Sequence, residues 1–462
     1  MNDSAATHQR FFLVGLLFLH TVNTYLDRVC ISAAKGSMQS DIAFLDDQMM
    51  GYTFGIFALG YALFQIPAGW FSDRAGPRWA LTIVVMLWSC FTAMTGAVMT
   101  AVSLLVVRFL FGVGEAGAFP GATRALYHWL PAKERGLGQG IFLSGARLGA
   151  ALALLVMPIL IDEIGWRMMF VVNGVLGIGW AAVWAWWYRN QPEEHAWTNA
   201  AEVVHIKSGI ESFPSSGETI PFLQVVTSSN VLFAMFQYAA SNITFFISIT
   251  WLRPYIEDQW GADEANLAFV PLLFGAFALW LSGYLTKKLY EVGWPVASRR
   301  IPAMLGFSIS AIGLLLCTQT TEFENVWPLI LCFSLAMFGV EMTLSPSWTF
   351  CMDLGKERSG AVSGAMNMVG NLGAALSAVL FPFFVAEVTL PFIAETPGTA
   401  NSFFVFAAGM NGFAVIAWSM MNSEVAGRKL TRRQLQLRLA GFASLISLVI
   451  AVLIYSQFFL ER

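Results

Sequence analysis

Apolar runs of about twenty residues follow one another along nearly the whole chain, the length a helix needs to cross a bilayer. They fall at 11–34, 49–70, 79–101, 103–127, 137–160 and 167–188, and again at 229–256, 263–286, 300–319, 326–350, 359–385 and 402–422. Between the two sets lies a polar segment, Arg189–Gln224, with ESFPSSGE at its centre. A thirteenth run, Ala440–Phe459, carries no charge, which favours a spanning helix over one lying in the interface. Only 12% of the residues are charged, against roughly 25% in soluble domains. The expected fold is an all-α polytopic membrane protein. Its expected parts are a six-helix half over 1–188, a cytoplasmic linker over 189–228, a second half over 229–422, and a basic segment with an extra transmembrane helix over 423–462. The first ten residues are polar and the first run is too long for a signal-peptide core, so no cleaved targeting segment is expected.

Lysine and arginine orient this arrangement. With the N-terminus inside, Arg74, Arg78, Lys133, Arg135, Arg189, Lys207, Lys287, Lys288, Arg299, Arg300, Lys356 and Arg358 fall in cytoplasmic loops. The outer loops hold little beyond Lys35, Arg167 and Arg253. That asymmetry is the positive-inside rule, and it places the N-terminus in the cytoplasm of a cell bounded by an inner (plasma) membrane.

The two halves repeat. KERGLGQGIFLSGARLGAAL (Lys133–Leu152) and KERSGAVSGAMNMVGNLGAAL (Lys356–Leu376) each open a span after a short basic loop and end in LGAAL. GWFSDRAG (Gly69–Gly76) has a weaker echo in GYLTKKLY (Gly283–Tyr290). Paired halves imply a site between them near the midplane, worked by alternating access. The register makes Arg147 and Asn371 pseudo-equivalent, so both are expected to face the cavity.

Charges inside the runs mark the site, because a charge at the bilayer centre costs roughly 2.5–3.5 kcal/mol and persists where it has a task or a partner. Asp27 and Arg28 are adjacent in the first span, and helical neighbours point about 100° apart, so they are not expected to pair. An arginine fork suits a carboxylate, which makes Arg28 the expected ligand of an anion, joined by Arg147. Asp27 and Glu115 can carry protons, or each can belong to a static ion pair. Arg108 lies two turns from Glu115 on one helix face, and is either a gate or the charge partner of Glu115. Pro120 is expected to kink that span. Tyr25, Tyr61 and Gln65, with Asn242 and Asn371 from the second half, are candidates to hydrogen-bond a polar substrate. Glu341 is a further acid that could titrate. Asp73 and Arg74, in the loop after the second span, are expected to act as a conformational latch, and Arg124 to snorkel. The tryptophans at 180, 184, 186 and 187 read as an interfacial belt.

Other chemistry is excluded. There is no phosphate-binding loop, no nucleophile elbow and no His/Cys metal spacing. GVGEAG in the fourth span fits a dinucleotide fingerprint only by accident, since it follows no strand. The five cysteines read as small buried hydrophobes, and the five histidines suggest no site. No enzyme activity, cofactor, metal or nucleic-acid partner is expected, and the energy source must be an ion gradient.

Residue for residue, GWFSDRAGPRW after the second span resembles the loop signature of the major facilitator superfamily. Within it, NTYLDRVCIS, RFLFGVGEAGAFPG, WLPAKERG and MNMVGNLGAALS are similar to the anion:cation symporter family over roughly 11–422. The resemblance implies the major facilitator fold, a monomer, and a carrier moving a small organic anion with protons across the bilayer. It implies that Arg28 binds the substrate carboxylate, that Asp27 is the acid beside it, that Arg108 and Glu115 are the fourth-span pair with Glu115 in proton coupling, and that Asn371 contacts substrate. Two features depart from the family's sugar-acid carriers. Arg147 stands where they tend to have an uncharged polar residue, which points to a larger or more highly charged anion, and the thirteenth run is extra. The alternative is a proton-driven exporter of an amphipathic compound or of a carboxylate metabolite such as a siderophore. A transport-like sensor is the third reading.

Overall fold

The computed structural model describes residues 5–208, 227–320, 323–387, 400–422 and scattered positions between 431 and 440. Every regular element among them is helical. The thirteenth run lies outside the described residues, as do the centre of the linker and most of the basic segment.

In the first part of the chain the helices are α1 (Gln9–Asp41), α2 (Asp47–Ala75), α3 (Pro77–Thr95), α4 (Ala101–Glu115), α5 (Ala118–Trp129), α6 (Arg135–Trp187) and α7 (Ala200–Ser208). Their starts follow local chemistry. Asp46 accepts from the Met49 amide at 2.8 Å to cap α2, and Thr100 and Ser103 form a reciprocal capping box on α4. Within α6, Gly165 at φ 77° and ψ 155° interrupts the helix, a conformation that a side chain resists, and this divides the fifth run from the sixth. In the second part come α8 (Ser229–Thr250), α9 (Leu252–Trp260), α10 (Val270–Glu291), α11 (Pro295–Cys317), α12 (Trp327–Met342), α13 (Leu344–Gly355), α14 (Ser359–Glu387) and α15 (Asn401–Met420). Met49–Ala75, Pro77–Thr95, Ser229–Thr250 and Asn401–Met420 are among the helices long and apolar enough to cross a membrane.

Two spans are broken, and for the same reason. The fourth run splits at Ala116–Gly117 and the tenth at Thr343. A proline removes one helix hydrogen bond and its ring clashes with the carbonyl four residues back. Four residues before Pro120 is Ala116, and four before Pro346 is Met342. The break therefore falls one turn ahead of the proline, not at it. A buried acid stands just before each break, Glu115 at the end of α4 and Glu341 near the end of α12. E-x4-P is thus shared by both parts of the chain.

The chain forms two compact units. One gathers α1–α7 together with Cys351–Ala365, and the other holds the rest. In the first, Cys30, Ile31, Met38, Leu104, Trp166 and Phe170 are among the residues of a buried core. In the second, Ile330, Phe333, Met337, Phe403 and Phe404 do the same. Large side chains such as Leu155, Phe277 and Phe413 are exposed, as a lipid-facing surface requires. Two expectations need correction here. Cys90 is exposed and Cys332 half-buried, where all five cysteines were expected to be buried. The tryptophan cluster is mostly interior: Trp184 is fully buried and stacks on Tyr188 at 4.2 Å, and of the four only Trp186 is exposed.

Candidate functional site

In the first unit, Asp27 and Arg28 leave α1 in different directions, as their offset on the helix demands. Asp27 turns to α3: its Oδ2 accepts from the Trp88 indole N–H at 3.0 Å and from the Asn23 amide at 3.2 Å. Arg28 turns to α4: its Nε donates to Oε1 of Glu115 at 2.6 Å. The Glu115 side chain is fully buried and that of Arg28 is 17% exposed. Four aromatic rings surround the guanidinium, with Tyr61 at 4.4 Å, Tyr25 at 5.2 Å, Phe57 at 5.5 Å and Phe119 at 5.8 Å to the ring centroids. Gly112 lets α2 approach α4 here, because a Cβ would run into the backbone of Phe57 and Tyr61. Tyr61 also hydrogen-bonds Arg28 and Gln65, so the α2 face carrying both residues closes on the arginine.

Glu115 is thus held by Arg28, not by Arg108. Arg108 is buried and lies over the rings of Phe111 at 4.6 Å and Phe57 at 4.9 Å. The expectation that Arg108 partners Glu115 is corrected in that sense: their shared helix face brings them close, but the short ion pair comes from α1. All four buried ionisable groups leave one polar atom without a hydrogen bond: Oδ1 of Asp27, Nη2 of Arg28, Nε of Arg108 and Oε2 of Glu115. An unmet buried polar group costs about 1–3 kcal/mol, and more when charged. Arg147, on α6, is half-buried.

In the second unit, Asn242 of α8 donates to the Tyr238 carbonyl at 2.8 Å, and Asn371 of α14 to the Asn367 carbonyl at 2.8 Å. Both asparagines are half-buried, and their helices meet where Gly370 leaves room for the Tyr238 ring.

The last turn of α2 engages a helix end. Asp73 accepts from the amides of Gly360 at 2.9 Å and Ala361 at 2.8 Å, the first turn of α14, where the helix dipole favours a negative charge. Arg124 stands 3.6 Å from the same carboxylate and also binds Glu357 and the Lys356 carbonyl. Arg124 is therefore buried in this cluster and does not snorkel. Arg74 takes no part: it is exposed, with its guanidinium 5.5 Å from the Trp70 ring.

With this geometry in view, the chain can be set beside known proteins. A family model described as Major Facilitator Superfamily matches residues 17–378. The chain belongs to the major facilitator superfamily. Its relatives place it among that superfamily's organic-anion transporters. A probable sulfoacetate transporter of Cupriavidus necator is 29% identical over 420 residues, covering 89% of this chain and 94% of that one. A probable galactarate/D-glucarate transporter of Bacillus subtilis is 30% identical over 431 residues, covering 89% and 91%. A hexuronate transporter of the same organism is 28% identical over 413 residues, covering 88% and 93%. Among solved structures, a proton:xylose symporter of the superfamily matches with a TM-score of 0.71 and 14% identity, over 90% of this chain and 98% of that one, which shows the fold. The protein is a multi-pass membrane transporter of organic anions and not an enzyme.

This superfamily member also holds polar clusters that sequence reasoning missed. Arg135 and Asp353 pair at 2.8 Å, both buried, with the Tyr127 ring 4.5 Å from the guanidinium. Arg10 donates to Glu134 at 2.8 Å and to Glu202 at 3.1 Å, and His205 lies 3.1 Å from Glu134. Glu202, on α7, also accepts from the amides of Gln9 and Arg10 at 3.1 Å each, so it caps the start of α1 from a distance. Burial raises the proton affinity of Glu134, but its hydrogen bonds from Arg10 and His205 outweigh this and hold its pKa below the ordinary 4.5. The linker is therefore not merely a polar tether: part of it is a helix docked by charge. No hydropathy or motif signal announces this, because the partners are 124 and 192 residues apart in sequence.

Proposed function

We propose that this protein imports a small organic acid together with protons, by alternating access, as a monomer in the inner (plasma) membrane with its N-terminus in the cytoplasm. Two six-helix halves, 1–188 and 229–422, form the moving parts of this reading. The observation that carries it is the Arg28–Glu115 ion pair. The residue best suited to a carboxylate already holds one, and that one can be neutralised by a proton.

This gives a coupling rule from charge alone. While Glu115 is ionised it competes with the substrate carboxylate for Arg28. A proton on Glu115 leaves the arginine without a counter-charge in a poorly hydrated site, and the substrate's carboxylate then supplies it through paired hydrogen bonds. Proton and anion therefore favour each other's binding, and the linkage is reciprocal. A second proton on Asp27 accompanies a second acidic group on the substrate. Arg147 meets that second group, with Tyr25, Tyr61, Gln65, Asn242 and Asn371 on the substrate's hydroxyls. Arg108 gates the outer end of its span. Asp73 and its contacts with the first turn of α14 hold one conformation and release in the other, and Arg74 anchors the same turn at the cytoplasmic surface. On the inner side both acids lose their protons, Glu115 reclaims Arg28 and the anion leaves.

The test is uptake into proteoliposomes of labelled D-glucarate, galactarate, a hexuronate, an aldonate, sulfoacetate, an aromatic acid and a tricarboxylate, with an inward proton gradient imposed or collapsed. Accumulation of one class that needs the gradient is the expected result. Gradient-driven efflux of preloaded acid, with no accumulation of any of them, would reverse the direction and turn the reading into an exporter.

A further inference from the structure

The last turn of α6 gathers two arginines whose charge no carboxylate answers. Arg78, in the first turn of α3, sends Nε and Nη2 to the Ala185 carbonyl at 3.0 and 2.8 Å. Arg189, just past α6, sends Nη1 to the carbonyls of Trp186 at 2.7 Å and Tyr188 at 2.9 Å. The two guanidiniums thus rest on consecutive carbonyls, Ala185 and Trp186, where the C-terminal dipole draws cations in. They lie near enough to repel each other. The carboxylate that Arg78 feels is that of Glu194, which is exposed and forms an ion pair with neither arginine. Other cations at this end of the helices differ: Arg10, Arg124, Arg135 and Lys207 each pair with a carboxylate. Arg78 and Arg189 bond only to backbone among the described residues. That leaves Nη1 of Arg78, and Nε and Nη2 of Arg189, as donors without an acceptor.

Tryptophans surround the pair. Trp79, whose ring centroid is 5.2 Å from the Arg78 guanidinium, is 52% exposed. Trp186 is 64% exposed and meets Trp197 edge to face at 5.6 Å. An indole left in the open in this way belongs at the headgroup level of a bilayer. From Trp79 an exposed apolar stripe follows α3 through Ile83 and Leu87, and from Trp186 another follows α6 through Val183 and Leu176. The two helices are in close contact, for a Cβ on Gly174 would run into the Ser89 carbonyl. We infer that the adjoining ends of α3 and α6 bind one anionic phospholipid, its phosphate on Arg78 and Arg189 and its acyl chains along the two stripes. An arginine fork matches phosphate oxygens as well as carboxylate ones. A phosphodiester supplies the negative charge that both cations lack and removes their repulsion. A zwitterionic lipid offers the same phosphate but brings an ammonium into the field of two cations, so it binds more weakly. In the orientation proposed above, this is the cytoplasmic leaflet. The site shares no residue with the Arg28 cluster, and its test needs no substrate and no flux.

The experiment is native mass spectrometry of the full chain in detergent micelles, titrated with phosphatidylglycerol or with phosphatidylcholine of the same acyl chains. The expected result is one phosphatidylglycerol that binds ahead of any phosphatidylcholine. Arg78→Gln and Arg189→Gln should each loosen it about fivefold, the contribution of one interfacial arginine. Arg189 lies outside the helix, so Arg189→Gln carries the test where Arg78→Gln folds poorly. Lys287→Gln and Lys288→Gln remove cations already paired with Glu291 and should leave the affinity unchanged. Glycerophosphoglycerol, the headgroup without chains, should not displace the lipid. Equal affinity for the two lipids, or an equal loss in the lysine variants, reduces the site to the general attraction of a basic surface and overturns the inference. Displacement by the free headgroup overturns it in favour of a soluble phosphate ester.

Discussion

At the scale of residues, the proposed cycle is an exchange of partners around one guanidinium. Arg28→Ala removes the group for which substrate and Glu115 compete, and uptake in proteoliposomes should fall to background. Arg28→Lys keeps the charge but loses the planar fork and its contact with four rings, so it should retain at most a few per cent of the wild-type rate. Uptake near the wild-type rate in either variant would remove Arg28 from the binding site. Glu115→Gln mimics the protonated acid permanently. It should preserve exchange of labelled for unlabelled substrate, abolish accumulation driven by a pH gradient, and flatten the dependence of exchange on external pH. Loss of exchange along with accumulation would instead make Glu115 a structural anchor for Arg28. Most of these residues were legible in the sequence, because a charge in an apolar run has few explanations. Their pairing was not. Arg108 and Glu115 share a helix face, and that local fact left Arg108 as either gate or partner while saying nothing of Arg28. Arg28 reaches Glu115 across 87 residues, which no helical periodicity encodes.

At the scale of elements, two prolines set where the fourth and tenth spans break. Pro120 marked a kink in the sequence, but the hydrogen-bond ladder fails at the carbonyl it displaces, so the break falls beside Glu115 and leaves that acid at a helix end. The same logic at Pro346 puts Glu341 in a matching place. Helix α7 shows what composition conceals. It holds to the start of α1 through Glu202, Arg10, Glu134 and His205, a network of charge-assisted hydrogen bonds beside the fully buried Ile206. Glu202→Ala strips the two first-turn amides of α1 of their acceptor. Hydrogen exchange over residues 200–208 should then rise at least tenfold, with unchanged exchange in α3 as the internal reference. Acid should loosen the same contact. The folded-state pKa of Glu134 is depressed, so its contribution to docking is present above the unfolded value of 4.5 and is lost as the pH falls through the lower folded value. Protection of α7 that shows no acid-induced loss before the whole protein unfolds would show that charge does not hold the linker helix.

At the scale of the whole molecule, charge balance ties the buried acids to the coupling ratio. The all-helical membrane fold was readable from the chain because a bilayer admits so few solutions for its backbone. The coupling ratio was not readable, since it depends on which acids titrate together. The two acids in the first unit now suggest a value. A doubly charged acid bound to Arg28 and Arg147 brings two negative charges, and protons on Asp27 and Glu115 bring two positive ones. The loaded carrier then differs from the empty one by no net charge, and it should cross without doing work against the membrane potential. Initial uptake of a dicarboxylate should rise steeply with an inward pH gradient. It should stay within the scatter of the assay when potassium and valinomycin set the potential from zero to strongly negative inside. A singly charged hexuronate carried with the same two protons would move one net positive charge inward, and its uptake should grow with that potential. If the dicarboxylate also responds to the potential, one of the two acids does not titrate in the cycle. Repeating the measurement in Asp27→Asn and Glu115→Gln would then identify which one.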